Sequence, residues 1–226
     1  IMAKFSVLLT DYAWPDVVIE RETLAQIDAD LVVAEDSSSE ALVELARQHH
    51  VDAIMTNWAN TPQSVIAASG TVKIVSRLGI GLDNIDVAYC TSNGIPVTNV
   101  PDYCVIEVAE HALASLLAMA RKITHYHYET QSGRYELQAG PKLRRMEGQT
   151  VGIVGLGNIG RRLAEKVVGL KMNVIATSRS KQDVPAYVDI VELDELLARS
   201  DYFSLHGPLV DATKHLIGAA EFAKMK

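Results

Sequence analysis

The stretch with the clearest chemical meaning is Val151-Gly152-Ile153-Val154-Gly155-Leu156-Gly157-Asn158-Ile159-Gly160. Its last three glycines have the G-x-G-x-x-G spacing. They follow an apolar β-branched run and open an amphipathic segment from Arg161 to Leu170, which is the context a dinucleotide-binding turn requires. Each glycine answers a separate demand. Gly155 permits the tight turn, Gly157 lets the backbone approach a pyrophosphate, and Gly160 lets the helix pack closely on the strand. The amides of Asn158 and Ile159 would then sit at a helix N-terminus, where partial positive charge favours a diphosphate. A glycine-rich strand-to-helix turn without a ligand is the competing reading, and the strand–loop–helix context weighs against it.

The end of the next strand discriminates between dinucleotides, because an acidic residue there would bind both ribose hydroxyls of NAD. The sequence instead reads Val174-Ile175-Ala176-Thr177-Ser178-Arg179-Ser180. Ser178, Arg179 and Ser180 could hold a 2′-phosphate, since arginine offers a planar fork of donors matched to phosphate oxygens. The expectation is an NAD(P) cofactor, with NADP favoured over NAD. The plainer alternative leaves Arg179 solvated and turns Asp183 back to the ribose.

The elements that must position this loop alternate along the chain. Phe5–Leu9, Leu31–Ala34, Ala53–Thr56, Lys73–Ser76 and Pro96–Val100 read as strands. Between them the pattern predicts a helix over Pro15–Ile27 opened by its proline. A second helix is announced by a Ser37–Glu40 capping box and buries Leu42, Leu45 and Ala46. Shorter helical pieces follow at Pro62–Ala68 and Asn84–Ser92. Such alternation predicts a parallel sheet covered on both faces. Asn99-Val100-Pro101-Asp102 breaks the pattern, so the boundary is set near Pro101, giving domains 1–100 and 101–226. One long helix is expected from Tyr103 towards His125, then a loop marked by Gly133 and Gly140-Pro141. Strands at Thr150–Val154, Asn173–Ala176 and Tyr202–Leu205, with helices from Asn158 and over Leu193–Arg199, complete the second domain.

Composition narrows the function classes. The chain has 226 residues and a formal net charge of −7, which argues against nucleic acid as a partner. The apolar run Ala112–Ala120 is too short to span a bilayer, so no membrane role is expected, and the amino end has no basic-then-apolar signal pattern. Two cysteines, Cys90 and Cys104, fit a reducing compartment without a disulfide framework, and a cytoplasmic location is expected. No metal site is expected either. His125 and His127 point in different directions on a helix, His49 and His50 end one, and the Glu107, Glu110 and His111 spacing is ordinary on a helix surface.

Four further segments, in order, give a resemblance. Ser76-Arg77-Leu78-Gly79-Ile80-Gly81-Leu82-Asp83-Asn84-Ile85-Asp86, Gly94–Pro101, Glu107–His111 and Ser204-Leu205-His206-Gly207-Pro208-Leu209, taken with the glycine loop, resemble the D-isomer-specific 2-hydroxyacid dehydrogenases. The phosphoglycerate dehydrogenase-like and C-terminal-binding-protein-like branches are the most similar. The resemblance implies an α/β protein with a flavodoxin-like substrate domain and a Rossmann dinucleotide-binding domain. It also implies a homodimer formed through the cofactor domains, and an oxidoreductase moving a hydride between NAD(P) and a small 2-oxo/2-hydroxy acid. Leu78, Gly79 and Ile80 would present amides to the substrate carboxylate, a task that glycine-rich turns suit, with Ile80 beside the nicotinamide. Asn57 and Trp58 would meet the rest of the substrate, or else form a capped turn before Pro62. His206, Gly207 and Pro208 would line the cofactor pocket. The family's catalytic arginine, glutamate and histidine belong to segments after the one matching Glu221–Lys226, so no catalytic residue is assigned. Only the first half of the dinucleotide fold is expected within these residues, and the chain reads as incomplete. A non-catalytic, dinucleotide-sensing binding protein resembling the C-terminal-binding proteins is the alternative. The Asn57–Thr61 loop lacks the basic residues a phosphorylated substrate would want.

Overall fold

Alternating strands and helices fold into two units, Ile1–Tyr103 and Cys104–Lys226. The structure, a computed structural model, describes residues 4–135, 140, 142–180 and 183–226. In the first unit β1 (Phe5–Leu9), β2 (Ala29–Val33), β3 (Ala53–Thr56), β4 (Ile74–Arg77) and β5 (Val97–Thr98) form one parallel sheet in the order β2-β1-β3-β4-β5. This is the flavodoxin-like order. Parallel neighbours need crossovers, supplied by α1 (Val18–Ala25), α2 (Ser39–Gln48), α3 (Gln63–Ile66) and α4 (Val87–Ser92). Side chains alternate across a strand, so Leu8 joins Leu42, Ala46, Val51, Ile54 and Val65 in one buried cluster. Val7 and Leu9 join Ala29 and Leu31 in another.

The second unit opens with α5 (Val105–Ala120) and α6 (Ile123–Gln131), followed by β6 (Thr150–Val154), α7 (Asn158–Val168), β7 (Asn173–Thr177), β8 (Val188–Ile190), α8 (Leu193–Arg199), β9 (Tyr202–Leu205) and α9 (Ala219–Phe222). Its strands are parallel in the order β8-β7-β6-β9. That is the 3-2-1-4 arrangement of a dinucleotide-binding sheet, with β9 as the fourth strand beside the first half. Val151 and Ile153 pack with Ala109, Leu116, Leu163 and Val167 on one face. Val154 and Ile175 pack with Leu196 and Leu197 on the other.

Several boundaries differ from the sequence expectation for local reasons. The first helix starts at Val18 rather than Pro15, because the Asp16 carboxylate accepts from the Val18 amide at 3.1 Å and holds the preceding turn outside the helix. The cap of α2 is Ser38, not Ser37: the Ala41 amide donates to its Oγ, while Asp36 accepts from both its amide and its hydroxyl. The single long helix is two, since Lys122 adopts a left-handed φ of 54° between them. β8 was not anticipated; its three residues are too few to display a period. Pro141 of the expected loop lies outside the described residues.

Candidate cofactor and substrate sites

In the second unit, successive strands leave β6 on one side and return on the other at β9, so a crevice opens at the carboxyl ends of those two strands. The glycine loop occupies it. Gly155 has φ +97°, and a side chain there would also strike the chain after β9, 2.7 Å from the Gly207 amide nitrogen. A side chain at Gly160 would strike the Gly155 carbonyl oxygen. Gly157 differs from both. Its backbone is extended, with φ −84° and ψ −162°, and a side chain there would meet no protein atom within 4 Å. None of the described residues requires glycine at that position.

Gly157 is also the N-cap of α7 and supplies no side-chain cap. Among the described residues, the Asn158 and Ile159 amides meet no protein acceptor. An open floor and unpartnered amides at the start of a long helix fit the diphosphate of a dinucleotide.

The flanks of this loop are built by β7 and β9. The Gly155 amide donates to the Thr177 carbonyl at 3.1 Å, so Ser178, Arg179 and Ser180 leave the sheet beside the glycines. The Ser178 hydroxyl donates to the Ser180 carbonyl at 2.7 Å, which tightens that turn, and Arg179 is exposed. Arg161, in the first turn of α7, donates to the Asp183 carbonyl. On the other flank the His206 amide donates to the Val154 carbonyl at 2.8 Å. Its Nε2 lies 2.9 Å from the Ser204 hydroxyl. Burial pushes the His206 imidazole below its ordinary pKa, which keeps it neutral at pH 7. Gly207 and Pro208 follow it. Behind the loop, Lys166 of α7 pairs with Glu110 of α5 at 3.0 Å, so one member of the acidic group on α5 has a structural partner.

In the first unit the corresponding crevice lies between the ends of β1 and β3, and Asp11 fills it. Its carboxylate accepts from the amides of Asn57 at 2.9 Å, Trp58 at 2.7 Å and Ala59 at 3.1 Å, and from the Thr10 hydroxyl at 2.8 Å. Burial alone would raise the Asp11 pKa, but the amide bonds from Trp58 and Asn57 lead a combined effect that holds it below the usual carboxylate value. The Ala59 carbonyl is held in turn by Thr56, Thr61 and Asn84. Trp58 is 70% exposed on this fixed loop, whereas Asn57 is buried. The Asn57 Oδ1 accepts from Arg77 Nη1 at 3.2 Å, and the Arg77 guanidinium lies against Gly79, where a Cβ would be 2.6 Å from Nη1.

One expectation needs correction here. The Leu78 amide donates to the Thr56 carbonyl at 2.8 Å, so it cannot present itself to a substrate carboxylate. The amides of Asn57 and Trp58 are held by Asp11, so on this loop the exposed Trp58 side chain is the group that could meet a ligand. Gly79 and Ile80 keep free amides among the described residues, while their carbonyls accept from Val100 N and Asn99 Nδ2. Asp11 and Arg77 were missed in the sequence. The available signals were an aspartate two residues after the first strand and an arginine two residues before Gly79.

Residues 113–226 match the family described as D-isomer specific 2-hydroxyacid dehydrogenase, NAD binding domain. The hydroxypyruvate reductase of Thermotoga maritima is 40% identical over 162 residues, covering 72% of this chain and 53% of that protein. Among solved structures, a glyoxylate reductase from Paecilomyes thermophila superposes with a TM-score of 0.85 at 29% identity, over 98% of this chain and 70% of that one. An acyclic imino acid reductase in complex with NADPH and D-Arg gives a TM-score of 0.85 at 26% identity, over 98% of this chain and 71% of that one. The chain spans between a third and about half of the length of the curated relatives it matches first. With the glycine loop at its switch point and the family match over residues 113–226 around it, the chain belongs to the D-isomer specific 2-hydroxyacid dehydrogenase family.

Proposed function

We propose that the protein moves a hydride between a nicotinamide dinucleotide and a small 2-oxo/2-hydroxy acid. The observation that carries this reading is the open floor at Gly157, set below unpartnered amides at the switch point of a dinucleotide-binding sheet. When bound, the nicotinamide supplies the hydride, and the protein's task is binding, orientation and electrostatics. On this reading the Gly157–Ile159 backbone holds the diphosphate. The Gly79 and Ile80 amides, with the Arg77 guanidinium, supply a concentration of donors suited to a carboxylate. His206, Gly207 and Pro208 wall the cofactor side.

The turn after β7 favours NADP over NAD, because Ser178, Arg179 and Ser180 replace the carboxylate that would take a ribose diol. The relatives' names support the class of acid: hydroxypyruvate and glyoxylate are both small 2-oxo acids. A homodimer and a cytoplasmic location complete the proposal. No helix among the described residues is long and apolar enough to cross a membrane.

The full-length protein should oxidise NADPH when given glyoxylate or hydroxypyruvate, and bind NADPH more tightly than NADH. Absence of turnover over a broad panel of 2-oxo acids would overturn the dehydrogenase reading. Cofactor-dependent association without turnover would favour a dinucleotide-sensing protein instead. Tighter NADH binding would remove the NADP preference alone.

A further inference from the structure

An arginine beside a glycine turn is useful only if its long side chain is held there, since several rotatable bonds otherwise carry it into solvent. Arg77 is held by a neighbour that is itself buried and tied down through its backbone. Asn57 is 5% exposed, and its Oδ1 meets Arg77 Nη1 at 3.2 Å. The backbone of Asn57 is in turn the first of three consecutive amides gathered by the Asp11 carboxylate. Asp11 does this from the end of β1, a different strand from the one that leads into the loop. Both of its oxygens accept: Oδ1 from Asn57 and Ala59, and Oδ2 from Trp58. Only a carboxylate offers two acceptor atoms there, because an asparagine would turn an NH₂ donor toward at least one amide.

We propose that Asp11 is a positioning residue of the substrate site. By pinning the Asn57–Ala59 backbone it keeps the Asn57 side-chain Oδ1 on Arg77, and so keeps the guanidinium against Gly79. This rests on the reading above that the acid's carboxylate is bound beside Arg77, Gly79 and Ile80. The chain of contact is Asp11 to Asn57 to Arg77, and Asp11 itself touches no substrate atom.

The test uses full-length protein, NADPH and glyoxylate, with Asp11→Asn, Asn57→Ala, Arg77→Ala and the double variants. Loss of one charge-assisted contact is expected to raise KM for glyoxylate about tenfold in Asp11→Asn and in Asn57→Ala. The dissociation constant for NADPH should stay as in the wild type. In the Arg77→Ala background neither substitution should raise KM further, because the group they position is gone. A purely structural Asp11 would instead lower kcat, weaken cofactor binding and add its full effect to Arg77→Ala; that pattern overturns the proposal. If Asp11→Asn does not fold, Asn57→Ala decides alone, and an unchanged KM there overturns it. If the wild type turns over no 2-oxo acid, the substrate reading falls by itself. The crystal structures of Asp11→Asn and Asn57→Ala then decide this proposal: an Arg77 displaced from Gly79 in both supports it, and an undisturbed Arg77 in either overturns it.

Discussion

At Gly155 the backbone sits at φ +97° with the chain after β9 pressed against it, and at Gly160 the neighbouring atom is a backbone oxygen that cannot step aside. Alanine at either position should therefore cost about 1–3 kcal/mol, from left-handed strain at the first and overpacking at both. Gly157 belongs to the same motif but has the opposite environment, since an added Cβ meets none of the described residues within 4 Å. Gly157→Ala should leave stability within about 0.5 kcal/mol of wild type. It should also weaken NADPH binding about tenfold or more, because the methyl group stands where the diphosphate would approach the backbone. Urea denaturation and a fluorescence titration read the two quantities separately. A Gly157→Ala protein that binds NADPH normally would take the diphosphate away from this loop. Residues of this kind were legible in the sequence because their chemistry is local: only glycine meets the demand, and the spacing names the motif. Asp11 and Arg77 were not, because their meaning depends on β1 lying beside β3, which spacing along the chain does not reveal.

The two units repeat one device at the level of elements. Asp52 directly precedes β3: its amide donates to the Ser6 carbonyl at 2.7 Å, and its carboxylate accepts from the Ser6 amide at 3.1 Å. Asp201 directly precedes β9 and makes the same pair with Thr150, both at 2.9 Å. In each unit an aspartate thus ties the start of an incoming strand to the start of the unit's first strand, which sets register where the crossover ends. Burial alone would raise the Asp201 pKa, but the Thr150 amide and Lys226 outweigh it, so the folded value lies below the unfolded one. The resulting stability is fully present above the unfolded value of about 3.9 and is lost as pH falls through the lower folded one. Asp201→Asn should flatten that acid limb of a stability–pH curve; an unchanged limb would show that the carboxylate contributes nothing there. Strands such as Phe5–Leu9, Ala53–Thr56 and Tyr202–Leu205 emerged at the expected bounds, because apolar β-branched runs between turn residues have few alternatives. The break at Lys122 did not emerge. A lysine with positive φ leaves no compositional mark inside an otherwise continuous helical pattern.

For the molecule as a whole, each unit closes its own core around its own sheet, and units of this kind can in principle fold separately. The glycine loop, the Ser178–Ser180 turn and His206–Pro208 all belong to Cys104–Lys226, so binding of a dinucleotide should stabilise that unit directly. Mass action sets the size: about 2.7 kcal/mol at a cofactor concentration one hundred times its dissociation constant. Ile54 and Ile153 are fully buried, one in each unit, and truncating either to alanine should cost about 2–5 kcal/mol. Hydrogen–deuterium exchange on the full-length protein separates the effects by location. Ile54→Ala should lower protection in β1, β3 and β4, Ile153→Ala in β6, β7 and β9, and NADPH should restore the second set but not the first. If NADPH restores both sets equally, the units unfold as one cooperative block, and the cofactor's stabilising effect is a property of the entire chain rather than of the unit that carries the glycines.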